Sequence, residues 1–153
     1  MARAAAPEPD LERWIEDSRN NIVGIADMLG VAPDVYVGDP LQLVPALQNY
    51  VSRLPYQEFE PSDWVTLLSD LMSYVSEFLI EKHGARWNVV DDSTAPRGYR
   101  YVVEAEGRDG QLRTIDPSDV VREEFGNLPI EITRMLASAE LTLRLTTQME
   151  EDE

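Results

Sequence analysis

Residues 61–87 read PSDWVTLLSDLMSYVSEFLIEKHGARW, and the interpretation of this stretch decides the fold. Trp64, Leu68, Leu71, Val75 and Phe78 recur at steps of three and four, and Val65, Met72 and Leu79 widen the stripe. That period belongs to a helix, and so broad an apolar face needs cover on more than one side. Ser69, Ser73 and Ser76 lie among the large residues and let a neighbouring element approach closely. Gly84 follows Lys82 and His83, so the helix ends on a residue free to turn left-handed, with cations at the negative end of its dipole. Trp64, Phe78, Gly84 and Trp87 are the expected structural anchors. Each large apolar side chain contributes about 1.5 to 3 kcal/mol when fully buried.

Beyond Gly84 the period of the apolar residues changes from helical to alternating, and residues 86–90, 99–104 and 111–115 read as an antiparallel meander. Trp87, Val89, Tyr99, Tyr101, Val103 and Leu112 are expected to point inward. Arg86, Asn88, Arg100, Glu104, Gln111 and Arg113 then fall on the opposite face. A four-residue turn at 107–110 sets Glu104 opposite both Arg86 and Arg113, one carboxylate between two guanidinium groups.

Upstream, a helix from Pro9 carries Leu11, Ile15, Ile22, Ile25 and Leu29 on one seam, with Ser18 in the missing place, and stops at Gly30. Residues 31–38 read as a connecting loop. Asp39, Pro40 and Gln42 then supply cap, first-turn proline and capping-box glutamine to a helix. Its apolar face is Leu43, Val44, Leu47, Tyr50, Val51 and Leu54, up to Pro55. Downstream, Asp116 and Pro117 open a short helix through Phe125. A last helix from Pro129 shows Ile132, Met135, Leu136, Ala139 and Leu143 on one side, leaving Leu141 and Leu145 off the stripe. The expected fold class is α+β: three N-terminal helices, a three-stranded antiparallel meander packed on the central helix, and a C-terminal helix. A single domain over residues 9–147 is expected between a flexible tail at 1–8 and an acidic tail at 148–153.

A chain of 153 residues is long enough for one core. It has no cysteine, which removes disulfides, thiolate metal sites and a cysteine nucleophile. The opening residues lack the apolar core of a signal peptide, and no run of about 18 apolar residues could span a bilayer, so a cytoplasmic location and no membrane contact are expected. The net charge of -16 argues against nucleic acid and anionic lipid, both of which need positive surface. Such a charge serves solubility, or it forms an acidic surface for a basic protein partner.

His83 is the only histidine, so histidine metal clusters and paired imidazoles are excluded, and a structural place at the helix end suits it. There is no G-x-S-x-G elbow and no phosphate- or dinucleotide-binding glycine loop, so no catalytic residue, metal or cofactor is expected. Asp70, Glu77 and Glu81 lie whole turns apart, as carboxylates do on any solvated helix. Asp91, Asp92 and Ser93 resemble half of a calcium loop but lack its glycine and terminal glutamate, which leaves a solvated turn. Arg86, Arg100 and Arg113 with Glu104 form the candidate interaction or anion site, with simple pairing to acids as the alternative.

Over residues 68–121 the sequence resembles a bacterial family of domains of unknown function, built as a helix of the form L-G-x-x-x-G-x-x-L, then G-x-x-W, a short meander and an h-x-P segment before a last helix. The pieces that carry the resemblance are Glu77 to Leu79, Gly84 with Trp87, and Ile115 with Pro117 and Val121. Ser69, Ser73 and Ser76 stand where that family often has glycine. The resemblance implies the helix–meander–helix arrangement and brings no activity or catalytic residue with it.

The functional expectation is a non-catalytic protein-interaction module, either an immunity-type inhibitor of a basic partner or an accessory subunit. The alternative is a small carboxylate-based hydrolase or an anion- or ligand-binding domain, with its site between sheet and helices. Self-association through the Leu11–Leu29 seam or the Leu141 and Leu145 edge is a third expectation.

Overall fold

The central helix α4 spans Pro61–His83 in the computed structural model, which describes residues 9–146. Glu60 and Asp63 close a reciprocal capping box at its start, with Pro61 in the first turn. Gly84 ends it at φ 67°, its amide donating back to the Ile80 carbonyl and the Ala85 amide to that of Leu79. Between these caps Leu71, Tyr74, Val75, Phe78 and Leu79 are almost wholly buried. The buried face is turned further than the simple stripe suggests. Leu67 and Tyr74 lie inside it, whereas Val65 is 65% exposed and Trp64 only half-buried. Tyr74 earns its place by a hydroxyl that donates to the Pro40 carbonyl at 2.8 Å, which satisfies a polar group that burial would otherwise penalise.

Around this rod the described residues form six α-helices and one three-stranded sheet, an α+β fold. Helix α1 (Leu11–Leu29) crosses α4 at the small residues: Asn21 Nδ2 donates to Ser73 Oγ at 3.1 Å and to Ser69 Oγ at 3.3 Å. Its Ile22, Ile25 and Ala26 are buried, so the central part of the seam considered for self-association is used inside the chain. A one-turn helix α2 (Pro33–Tyr36) interrupts the expected loop and buries Tyr36, which makes four helices before the first strand instead of three. Residues 40–43 form a 3-10 turn and α3 runs from Val44–Ser52. Pro45 has no amide to donate to the Leu41 carbonyl, so a regular helix cannot begin at Pro40. Asp39 accordingly caps no backbone amide; its carboxylate accepts from Gln42 Nε2 at 3.1 Å.

Strands β1 (Arg86–Asp91), β2 (Tyr99–Glu106) and β3 (Leu112–Ile115) form the meander in that order. Trp87 pairs with Val103, which pairs with Ile115, and this row is buried against the helices. The first pairing follows the expected register, with Arg86 opposite Glu104. The second does not: Glu104 faces Thr114, and Arg113 faces Ala105. The Gly107 amide donates to the Gln111 carbonyl, leaving a three-residue loop of Arg108, Asp109 and Gly110 with Gly110 at φ 80°. A left-handed residue at the third loop position is the geometry of such hairpins, and it shifts the register by one. One residue of slip reverses every side chain of β3. Leu112, expected inward, is 57% exposed, and Arg113 takes the inner parity at the sheet edge.

Helices α5 (Pro117–Phe125) and α6 (Ile132–Thr142) close the other side of α4. Asp116 caps α5 by accepting from the Ser118 amide at 2.9 Å. Ile132, Met135, Leu136, Ala139 and Leu143 are all buried, as their spacing predicts. Glu124 of α5 is 5% exposed and accepts from the Arg134 guanidinium and the Glu131 amide, which ties the two helices together. The tails expected at 1–8 and 148–153 lie outside the described residues. No helix among the described residues is long and apolar enough to cross a membrane.

Candidate functional site

The expected arginine trio does not assemble. Arg86 grips Glu104 through Nε and Nη2, both at 2.9 Å from the same carboxylate oxygen. Arg113 is bound at two points by Asp109 within its own hairpin, at 2.9 and 2.6 Å. Arg113 and the Gln111 amide hold the Asp109 carboxyl well below the usual carboxylate range. Arg100 spans 2.8 Å to Asp92 and 3.1 Å to Asp116, joining the β1–β2 loop to the start of α5. Each of the three is engaged locally, and Arg86 and Arg113 belong to opposite parities of the sheet.

Arg100 does, however, stand at the edge of a cleft of about 530 Å³. The β1–β2 loop forms one wall. Asp92 accepts from the Thr94 hydroxyl at 2.6 Å and its amide at 2.9 Å, and these bonds with the nearby Arg100 keep its carboxyl below the usual range. The Asp92 amide also donates to the Gly98 carbonyl at 2.9 Å, so the loop is closed on itself and brings Pro96 and Arg97 to the cleft. Helix α5 supplies Ser118 and Arg122. The apolar side comes from Leu68 and Met72 of α4, Trp14 of α1, and Tyr99 and Tyr101 of β2.

The charge balance of this cleft differs from that of the chain. Three guanidinium groups, of Arg97, Arg100 and Arg122, and two carboxylates, of Asp92 and Asp116, line the cleft, with a third carboxylate, Asp119, 3.7 Å from Arg100, in a protein of net charge -16. Both lining carboxylates are engaged by Arg100. Arg122 donates only to an uncharged oxygen, Ser118 Oγ, at 3.1 Å. Arg97 has no hydrogen bond or ion pair with any described residue. It lies near the Tyr101 phenol, whose pKa is raised chiefly by burial while Arg97 pulls it the other way.

The aromatic wall is rigidly built. Trp14 stacks on Tyr101 at 4.1 Å between ring centroids and meets Trp87 edge-on at 5.5 Å. The Tyr101 hydroxyl accepts from the Asp10 amide at 2.9 Å, fixing the start of α1 to the sheet. Across Trp14 and Met72 lies a second cleft of about 410 Å³, lined by polar groups that include Asn21, Ser69 and Ser73. Trp14 Nε1 is buried and has no acceptor among the described residues.

The remaining sequence candidates lie elsewhere. Neither Asp70 nor Glu77 lines either cleft. His83 is hydrogen-bonded to Glu140 of α6 at 2.6 Å, a contact between helices. Among the anchors, Phe78 is 2% and Trp87 6% exposed, while Trp64 joins a separate aromatic cluster with Tyr56, Phe59 and Phe125. Trp14, Arg97 and Arg122 are the residues the sequence reading missed. Trp14 had a signal, since it follows Leu11 by three and widens the α1 seam. The two arginines had none, because only the fold brings the β1–β2 loop beside α5.

The two carboxylates in the lining are both engaged by Arg100, and the described lining includes no histidine. Comparison with protein-family models, curated proteins and solved structures returned no match.

Proposed function

We propose that this protein is a non-catalytic binding module whose cleft between α1, α4, α5 and the β1–β2 loop receives an anionic group. The observation that carries the reading is the local surplus of guanidinium: Arg97 and Arg122 lack carboxylate partners in a chain otherwise rich in acids. Arginine presents a planar fork of donors suited to carboxylate or phosphate, and a concavity of this size is in the usual range of small-molecule sites, roughly 300 to 1,000 Å³. The test is thermal stabilisation by a panel of small organic anions at physiological ionic strength, with organic cations as controls. Anions are expected to raise Tm in the wild-type protein and not in an R97A/R122Q variant. A panel without effect, or an equal effect in the variant, contradicts the reading.

A second reading, an inhibitor or accessory subunit that binds a basic protein, draws on the outer face of α1. There Glu12, Glu16 and Asp17 are exposed, with Arg13 beside them, 3.9 Å from Asp17. Such binding weakens steeply with salt. An E12Q/E16Q/D17N variant that binds a basic partner as tightly as the wild type removes this reading.

A further inference from the structure

Resting on the anion-binding reading above, we infer that the ligand is a phosphate monoester with a flat apolar body, its head between Arg97 and Arg122 and its body against the aromatic wall. The cleft combines two chemistries. Two guanidinium groups, neither bound to a carboxylate, line it from different elements, the β1–β2 loop and α5. Their combined charge matches a dianionic head, and a phosphate monoester carries about -1.5 to -2 at neutral pH. Two guanidinium forks can bond separate phosphate oxygens without competing for one.

The same lining holds Leu68, Met72, Trp14, Tyr99 and Tyr101. Tyr99 meets Tyr101 edge-on at 5.5 Å, and Trp14 lies parallel to Tyr101 within 10°. A flat ring in this cleft can meet these aromatic side chains, where ring contacts add about 0.5 to 1.5 kcal/mol beyond simple burial. Neither chemistry alone accounts for the cleft. Inorganic phosphate leaves its apolar lining wet, and a neutral ring leaves the arginines unanswered.

At physiological ionic strength the Debye length is about 8 Å, so most of the acidic surface is screened from a ligand held at the two arginines. Isothermal titration with three probes separates the contributions: phenyl phosphate for the whole ligand, inorganic phosphate for the head and benzyl alcohol for the body. Phenyl phosphate is expected to bind more tightly than either of the others, over inorganic phosphate by about two- to twelvefold from ring contacts alone. R97A/R122Q should abolish that advantage. Y99L, which keeps an apolar side chain and removes the ring, should weaken phenyl phosphate severalfold and leave inorganic phosphate unchanged. Equal affinity for phenyl and inorganic phosphate overturns the flat-bodied ligand while leaving anion binding in place. Equal affinity for benzyl alcohol overturns the dianionic head. Absence of binding by all three overturns this inference, and the anion-binding reading then stands or falls on its own wider panel.

Discussion

Trp14 of α1 lies parallel to Tyr101 of β2, with ring centroids 4.1 Å apart and planes 10° from parallel. This contact couples the first helix to the meander and also forms the wall between the two clefts. Trp14→Ala should cost about 2 to 3 kcal/mol, below the full range for a core tryptophan because the side chain is only half-buried. A double-mutant cycle with Tyr101→Ala should return a coupling of about 1 kcal/mol. Urea denaturation of the four proteins measures both quantities, and simple additivity would mean that the stacking contributes nothing of its own.

Arg100 and Arg97 line the same cleft and should behave oppositely in stability measurements. Arg100 joins Asp92 to Asp116, so Arg100→Ala should cost about 1 kcal/mol, at the upper end for a partly exposed pair. Arg97 binds no described residue, and Arg97→Ala should leave stability within about 0.5 kcal/mol. Chemical denaturation at one ionic strength gives the comparison.

Glu77 and Asp70 of α4 have pKa values raised chiefly by burial, Glu77 also by Glu81 and with some opposition from Arg19. A raised folded-state pKa means that the native state holds the proton better than the unfolded chain does. Below the unfolded pKa values both groups are protonated and this stability is fully present. It is lost as the pH rises through the folded values and the charges form half-buried. Glu77→Gln and Asp70→Asn should therefore raise Tm at pH 7, and by less at pH 3. A gain that is the same at both pH values contradicts this.

Gly110 stands at φ 80° as the last residue of the β2–β3 loop, and that conformation sets the register. Gly110→Ala should cost about 1 kcal/mol, with Gly110→Asn costing less because asparagine tolerates the left-handed region. Equal costs for the two substitutions would show that the left-handed turn does not control this hairpin.

Much of this architecture was legible in the sequence, for reasons visible in particular residues. The α6 stripe from Ile132 to Leu143, the Asp116 cap and the Gly84 stop all rest on local geometry, and local rules predict them. The pairing of Arg86 with Glu104 follows from alternation on two adjacent strands. The β2–β3 register was lost because a three-residue loop and a four-residue turn suit GRDG equally well on paper, and one residue exchanges Leu112 with Arg113. The candidate site was misplaced for a deeper reason. Alternation reports which arginines share a sheet face, whereas the charge of the cleft depends on which of them find acids. Asp92, Asp109 and Glu104 engaged the three expected arginines, leaving Arg97 in a loop and Arg122 on a helix to line the cleft.

The central claim is that this cleft, and no other surface, is where an anion is recognised. Backbone amide chemical-shift mapping of the nitrogen-15-labelled protein, titrated with phenyl phosphate, tests it most directly. The largest shifts should fall on the β1–β2 loop from Asp92 to Gly98, on Tyr99 and Tyr101, and on the first turns of α5, and they should vanish in R97A/R122Q. Shifts centred on the Arg86–Glu104 or Arg113–Asp109 pairs, or scattered over the surface without saturation, would contradict it.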